Sequence, residues 1–466
     1  MTQIPILNGI YTDNEPDFRA SYPVNLVPVS MANGISAGYL RPGEGLIEEG
    51  TGPGIDRGGI NWNDELYRVM GTKLVKIASN GTVTTLGDVG GSTQVSFDYS
   101  FDRLAIASNG NLFYYDGSLT QVTDPDLGTV LDVVWVDGYF MTTDGEFLVV
   151  TELSDPTQVN PLKYGSSEID PDPVVALIKL RNEIYAVNRY TIEVFDNIGA
   201  SLFPFGRIDG AQIQRGAIGT HACCEFLESI AFIGSARNEQ PGVYLAANAQ
   251  TVKISTSEID TLINEFTEAQ LSQVVIEARK DKNAQVLYIH LPDRTLAYDA
   301  FASQATNQPV WYVLTSSLTG FSQYRARNFV WVYNKQCVGD PTSSSFGYVD
   351  DSISTHWGDK VRWEFGTTII YNEGRHALFH ELELVALTGN VALGVTPTIS
   401  TSYSLDGITY SPERSIQAGT TGQRNKRLVW RRQGSMDNWR IQRFRGDSDA
   451  HIAFARLEVQ IEGLAY

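Results

Sequence analysis

Residues Glu65–Gly87 read ELYRVMGTKLVKIASNGTVTTLG. Apolar residues alternate with polar ones on both sides of Gly71, and again on both sides of Asn80-Gly81. Period-two alternation interrupted by turn residues predicts strand, tight turn, strand, turn, strand. An Asn-Gly pair between such runs is the strongest short-range hairpin signal, because both residues accept positive φ. The following segments repeat the scheme. Gln94–Val122 (QVSFDYSFDRLAIASNGNLFYYDGSLTQV) carries Ser108-Asn109-Gly110 and an Asp116-Gly117 turn. Val130–Leu153 carries Asp137-Gly138 and Asp144-Gly145, and Val174–Gly199 forms a fourth version. Others begin near Ala217, Val274 and Gly320.

Each unit spans about 35–55 residues with roughly four strands, the period of a β-propeller blade. A single blade cannot bury both its faces, whereas a ring of blades buries them against one another. The expected fold class is therefore all-β: a β-propeller of six or seven blades over 58-358. Residues 1-57, rich in Pro, Gly and Asn, are expected to form an extended N-terminal arm, because proline fixes φ and removes a donor. Near 257-272 the rhythm breaks. Ile259, Leu262, Ile263 and Phe266 share one face of a short amphipathic helix, and Thr267 with Gln270 forms a capping-box pattern. Over 359-466 the strands lengthen (ALFHELELVAL, PTISTSYSLDGITYS, HIAFARLEVQIEG), which predicts an antiparallel β-sandwich. There Asp406-Gly407 is expected to supply the two positive φ angles of a type I′ turn.

The 466-residue chain carries 54 acidic and 35 basic residues, a formal net charge of -19. Its average surface repels nucleic acid and anionic membranes. The three cysteines (Cys223, Cys224, Cys337) make neither a disulfide framework nor a zinc pattern. The N-terminus shows no secretion-signal pattern, and no apolar run approaches the ~20 residues needed to span a bilayer. A soluble protein made in a cytoplasm is expected.

Phosphate-loop, dinucleotide, nucleophile-elbow and zincin motifs are absent, which argues against the common enzyme classes. His376 and His380 lie on a strand-like run, where four residues separate them by about 13 Å, too far for one ion. No metal or cofactor is expected. SLDGITY resembles the Asp-box of sialidases with one residue missing, which in those enzymes is a structural turn. A propeller glycoside hydrolase with a carbohydrate-binding sandwich is the alternative reading.

Against the acidic whole, Arg424–Gly446 (RNKRLVWRRQGSMDNWRIQRFRG) gathers eight basic residues and one acidic one. Alternation makes it two sandwich strands. Leu428 and Trp430 face the core, and Ile441 with Arg443 lie opposite Gln442 with Phe444. Its arginines (Arg427, Arg431, Arg432, Arg440, Arg443 and Arg445) are candidates for a subunit or adaptor interface, since arginine is favoured at interfaces and carboxylate clamps. Solvated or intramolecular charge and local DNA contact remain open alternatives.

Several stretches, taken in order, resemble the packaged DNA stabilisation proteins (tail hubs or nozzles) of short-tailed bacteriophages. They are SYPVNLVP (Ser21–Pro28), GYLRPGEGL (Gly38–Leu46), IQRGAIGTH (Ile213–His221), STSEIDTLINEFTEAQL, LYIHLPDRTLAYDAFASQ (Leu287–Gln304), QPVWYVL (Gln308–Leu314) and DGITYSPER followed by NKRLVWRRQG. The resemblance implies a structural protein of the virion tail, not an enzyme. It implies a homo-oligomeric ring, typically a hexamer, below the portal-adaptor ring. Such a ring closes the filled head, forms the conduit for DNA ejection, and anchors tailspikes or fibres and a tail needle or plug. An acidic lumen would suit a duplex that must slide without sticking.

Overall fold

The computed structural model describes residues 2–4, 6, 23–30, 38–281, 284–447 and 450–464. Seven antiparallel sheets of propeller type occur among them. Blade 1 runs from Asp56–Trp62 to Val83–Asp88, and blade 2 from Ser96–Tyr99 to Leu119–Gln121. Blade 3 starts at Asp132–Val136, blade 4 at Val174–Leu180, blade 5 at Gly216–Ala217 and Cys223–Phe226, and blade 6 at Val275–Asp281. Blade 7 starts at Arg327–Val332. The first strands of successive blades touch in order, and the first strand of blade 7 touches that of blade 1, so the ring closes. The six-or-seven expectation resolves to seven.

Closure uses the chain's beginning. The fourth strand of blade 7 is Gly45–Thr51, paired antiparallel with Ser345–Asp350. Leu46 sits against Val349, and Ile47 against Tyr348. Upstream, Leu26–Ser30 and Gly38–Pro42 pair with each other, and the latter adds to a sandwich sheet through Leu40 and Phe454. The described part of 1-57 is thus not an extended arm. A strand with a hydrophobic face and unpaired backbone groups is stabilised by joining an open sheet edge, and each domain offered one.

Acidic residues on the inner strands tie blade to blade. Asp98 of blade 2 accepts the Trp135 N–H of blade 3 at 2.6 Å. Asp132 of blade 3 accepts the Leu177 N–H of blade 4 at 2.8 Å. Glu277 of blade 6 accepts the N–H groups of Asn328 and Phe329 in blade 7 at 3.1 and 2.9 Å. A buried N–H left unpaired costs roughly 1–3 kcal/mol, so each carboxylate removes a penalty at a blade boundary. Burial pushes the Asp132 carboxyl up to about 6.

Hairpin turns divide into two kinds. Asp137-Gly138 carries φ of 48° and 91°, as a type I′ turn requires. Leu227-Glu228 (56° and 55°) and Tyr333-Asn334 (54° and 58°) hold the same left-handed pair without glycine. Asp406-Gly407 departs from expectation: only Gly407 is left-handed, at 73°. The Asp406 carboxylate instead accepts the N–H groups of Ile408 and Thr409 at 2.9 and 2.7 Å, which closes an Asx-type turn.

Helices Ser257–Ile263 and Glu268–Leu271 follow blade 5. Ile259 and Ile263 pack with Trp311, and the Thr267/Gln270 capping box is formed in both directions. The outer strand of blade 6, Val310–Leu314, is buried along its whole length. Residues 23–25 cover it. The Val313 N–H donates to the Pro23 carbonyl, and Val24 pairs on its other side with Glu364 of the sandwich. This short bridge is the joint between the domains.

The sandwich packs a sheet containing Ala377–Leu387, Leu428–Arg431 and Ala453–Gly463 on a second containing Arg362–Gly366, Thr398–Ser404 and Trp439–Asp447. Its core holds a ladder of rings. Trp363 and Phe454 lie 4.8 Å apart, Phe365 and Phe454 4.9 Å, and Phe365 and Phe444 5.3 Å. Such pairs each add about 0.5–1.5 kcal/mol beyond area burial.

Candidate assembly surface

Leu428–Arg431 is an edge strand. Leu428 and Trp430 are buried, whereas Arg431 is 80% exposed on its side chain. Period two thus sends Arg427 and Arg431 to the outer face, beside the neighbouring strand Ala377–Leu387. That strand presents Glu381 and Glu383 on the same face, with Glu381 directly opposite Arg431. Arg427 grips Glu383 with two hydrogen bonds, of 2.7 and 2.6 Å, and Arg431 lies 3.3 Å from Glu381. Arg427 holds the Glu383 carboxyl below its usual range. The pattern continues across the face: Arg456 pairs with Glu458, His380 with Glu462 at 2.8 Å, and His376 with Asp437 at 3.0 Å. Each histidine therefore has its own carboxylate.

The six candidate arginines do not form one surface. Arg440 is fully buried, which removes it as an interface residue. Strand alternation turns it inward with Gln442 and Phe444. Its guanidinium centre lies 4.2 Å from the Phe379 ring and 3.8 Å from the Tyr403 ring. It donates to the Gln433 carbonyl at 2.7 Å and to Gln442 Oε1 at 3.1 and 2.7 Å. Burial without a carboxylate partner pushes its pKa down to about 9. Arg443, half-buried on the opposite face, stacks on Tyr410 at 3.6 Å and donates to Ser402 at 3.3 Å. Ile441 is buried too, so both faces of this central strand are covered at that point.

Arg445 is exposed and paired with Glu413. Arg432 is exposed in the left-handed region (φ 56°), and no carboxylate is within ion-pair distance of it among the described residues. Arg427, Arg431, Arg432 and Arg445 thus remain on the surface, three of them already partnered. Much of the basic stretch answers acids one strand away, a cross-strand relation that sequence separation hides. The reading from sequence also passed over exposed apolar residues of the sandwich: Tyr371, Leu387, Leu393 and Ile408. Tyr371 and Leu393 lie outside long alternating runs, so periodicity does not reveal them.

Polar side chains link the inner strands of several blades. The buried Asp56 and Arg68 pair at 2.9 Å. Asn328 of blade 7 donates to Asp56 at 2.6 Å and accepts from Gln94, ahead of blade 2, at 2.5 Å. Glu277 accepts from Asn328 and lies 2.7 Å from His290, which reaches Thr295 at 2.9 Å. This network ties blades 1, 2, 6 and 7 through the middle of the ring.

Two family models match the chain: "Bacteriophage P22 Gp10, beta-propeller" over residues 2–354, and "Bacteriophage P22 Gp10, beta-sandwich" over residues 362–462. The tail hub protein gp10 of Salmonella phage P22 is 29% identical over 457 residues, covering 93% of each chain. Among solved structures, the Neurospora crassa Pan2 WD40 domain overlaps 63% of this chain and 89% of its own at a TM-score of 0.41 and 11% identity. PorZ of Porphyromonas gingivalis overlaps 65% of this chain, which spans 37% of PorZ, at a TM-score of 0.40 and 13% identity. The two family models meet where the propeller hands over to the sandwich, and together they take in nearly every described residue: the chain belongs to the bacteriophage P22 Gp10 family, as its β-propeller followed by its β-sandwich.

Proposed function

We propose that this chain is a structural tail hub of a short-tailed phage virion, with no catalytic role. The observation that carries this reading is the match to the P22 tail hub over 93% of both chains, with both domains in the same order. The geometry favours a mechanical part. The propeller is closed by its own N-terminal strand, and the sandwich is joined to it by backbone hydrogen bonds on both sides of residues 23–25.

In this reading several copies, typically six, form a ring below the portal adaptor. The DNA conduit of this reading is the lumen between copies. The net charge of -19 keeps phosphates from adhering to its wall. Acids used inside blades, such as Asp98, Asp132 and Glu277, do not contribute to that wall. Arg427, Arg431, Arg432 and Arg445 would meet acids of a neighbouring copy or of the adaptor. The lower rim would hold tailspikes or fibres and a needle or plug. Assembly would take place in the host cytoplasm, and no membrane is entered.

Light scattering of the purified chain, alone and with the adaptor ring, tests the proposal, and electron microscopy of the mixture reads the ring directly. Ring particles with a central lumen are expected. A chain that stays monomeric in the presence of adaptor overturns the hub reading.

A further inference from the structure

One end of the propeller axis opens into a cavity of about 420 Å³. Its wall comes from the segments that precede the inner strands: Thr93 and Gln94 before blade 2, Val130 before blade 3, Thr220 and His221 before blade 5, and Ser272 before blade 6. Arg327, the first residue of blade 7's inner strand, completes it. Beside hydroxyl and amide groups, the wall carries one carboxylate, Asp56, and apolar side chains such as Leu131 and Val275.

Arg327 feels the charges of Glu277 and Asp56 but makes no direct contact with either. Among the described residues its buried Nε makes no hydrogen bond and no carboxylate lies within ion-pair distance. The nearby acids are already saturated. Asp56 is held by Arg68 and Asn328, and Glu277 by His290 and two backbone N–H groups. Arg57, also in the wall, spends its donors on the carbonyls of Thr93, Gly71 and Gly90 and on Ser108. His221 is kept neutral by burial, its pKa pushed down to about 4. A largely desolvated guanidinium without a partner is costly, and an anion placed against it recovers that cost through charge-assisted hydrogen bonds. The hydroxyl and amide groups around it supply further polar contacts, and the cavity admits only a small molecule or a single side chain.

We infer that the axial cavity is a binding site for a small oxyanion, a phosphate or a carboxylate, with Arg327 as the residue that receives it. The site is local. A chain of net charge -19 repels anions overall, so an anion is held there by contact geometry and not by long-range attraction. The inference does not depend on the tail-hub reading.

Titration calorimetry of the full chain with sodium phosphate, and separately with sodium acetate at matched ionic strength, tests it. Saturable binding of at least one anion is expected. Arg327→Gln should weaken it about tenfold or more, the scale of one lost charge-assisted contact. Ser92→Trp, at an exposed position of the same wall, should also abolish it by filling the cavity without touching the core. Tighter phosphate binding identifies a phosphate-type ligand. Tighter acetate binding identifies a carboxylate, from a metabolite or a protein side chain. The inference is overturned if wild-type chain gives no saturable heat with either anion, or if both variants bind as wild type does.

Discussion

Asn25 and Thr315 hydrogen-bond to each other twice. Asn25 Nδ2 donates to the Thr315 carbonyl at 2.8 Å, and the Thr315 N–H donates to Asn25 Oδ1 at 3.0 Å. The same Nδ2 donates to the Arg362 carbonyl at 2.7 Å. One side chain thus imitates a strand pairing on the propeller side and holds the first sandwich strand on the other. Its backbone is left-handed, at φ 51°, a region asparagine enters more readily than most residues.

Asn25→Ala should therefore cost about 4–5 kcal/mol. Three hydrogen bonds are lost at roughly 1 kcal/mol each, and the left-handed backbone adds about 1–2 kcal/mol of strain. Calorimetry should show a lower melting temperature, with propeller and sandwich transitions drawn apart. An unfolding profile identical to wild type contradicts the pinned joint.

Gly347 faces the closing strand so closely that an added Cβ would lie 1.8 Å from the Ile47 carbonyl oxygen. The obstacle is backbone, which cannot turn aside. Gly347→Ala should open or distort the seam of blade 7 and cost about 3 kcal/mol or more. Limited proteolysis should then cut near residues 45–51, a segment protected in wild type.

His356 is buried, hydrogen-bonded to Ser316 at 2.7 Å, and its pKa is pushed down to about 3 by burial and then by Arg325. The unfolded chain protonates this residue near its ordinary value, whereas the folded chain does not. Folded stability therefore falls as pH drops from about 6.5 towards 3, by roughly 1.4 kcal/mol per pH unit from this residue. Urea denaturation at pH 6 and pH 4 should show a shallower decline in His356→Gln, by about that slope. An unchanged decline rules out a neutral buried His356.

The arginines of 424–446 separate by role. Arg440→Ala should cost about 3–5 kcal/mol, because it leaves a cavity between two rings and strands the Gln433 and Gln442 acceptors. Arg432→Glu should change stability by no more than about 0.5 kcal/mol, as is usual at exposed positions. If this surface joins subunits, Arg432→Glu with Arg445→Glu should reduce ring formation seen by light scattering. Full assembly of that double variant would place the subunit contacts elsewhere.

Local signals carried much of this architecture. Gly71, Gly81, Asn109-Gly110 and Asp137-Gly138 mark hairpins because left-handed backbone is inexpensive for those residues, and alternation between them marks strands. Leu227-Glu228 left no such mark, since neither residue favours the left-handed backbone that both adopt there. The candidate arginines were placed on strands by alternation, but alternation could not tell which of a strand's two faces is covered. Arg440 and Arg431 look alike in sequence, yet one lies between Phe379 and Tyr403 and the other points to solvent beside Glu381.

The sequence by itself determined the blade rhythm, the change to longer strands after about 360, the helix with its Thr267 cap, and the acidic balance. Each depends on neighbours a few residues apart, through backbone preference and periodicity. Only the tertiary structure decided the rest. It brought Gly45–Thr51 to Ser345–Asp350, Asn25 to Thr315, and Glu277 to Asn328. It also left Arg327 lining an axial cavity with its Nε unbonded among the described residues. These outcomes follow from closing a ring and docking a second domain, which bring together edges and charges that lie far apart along the chain.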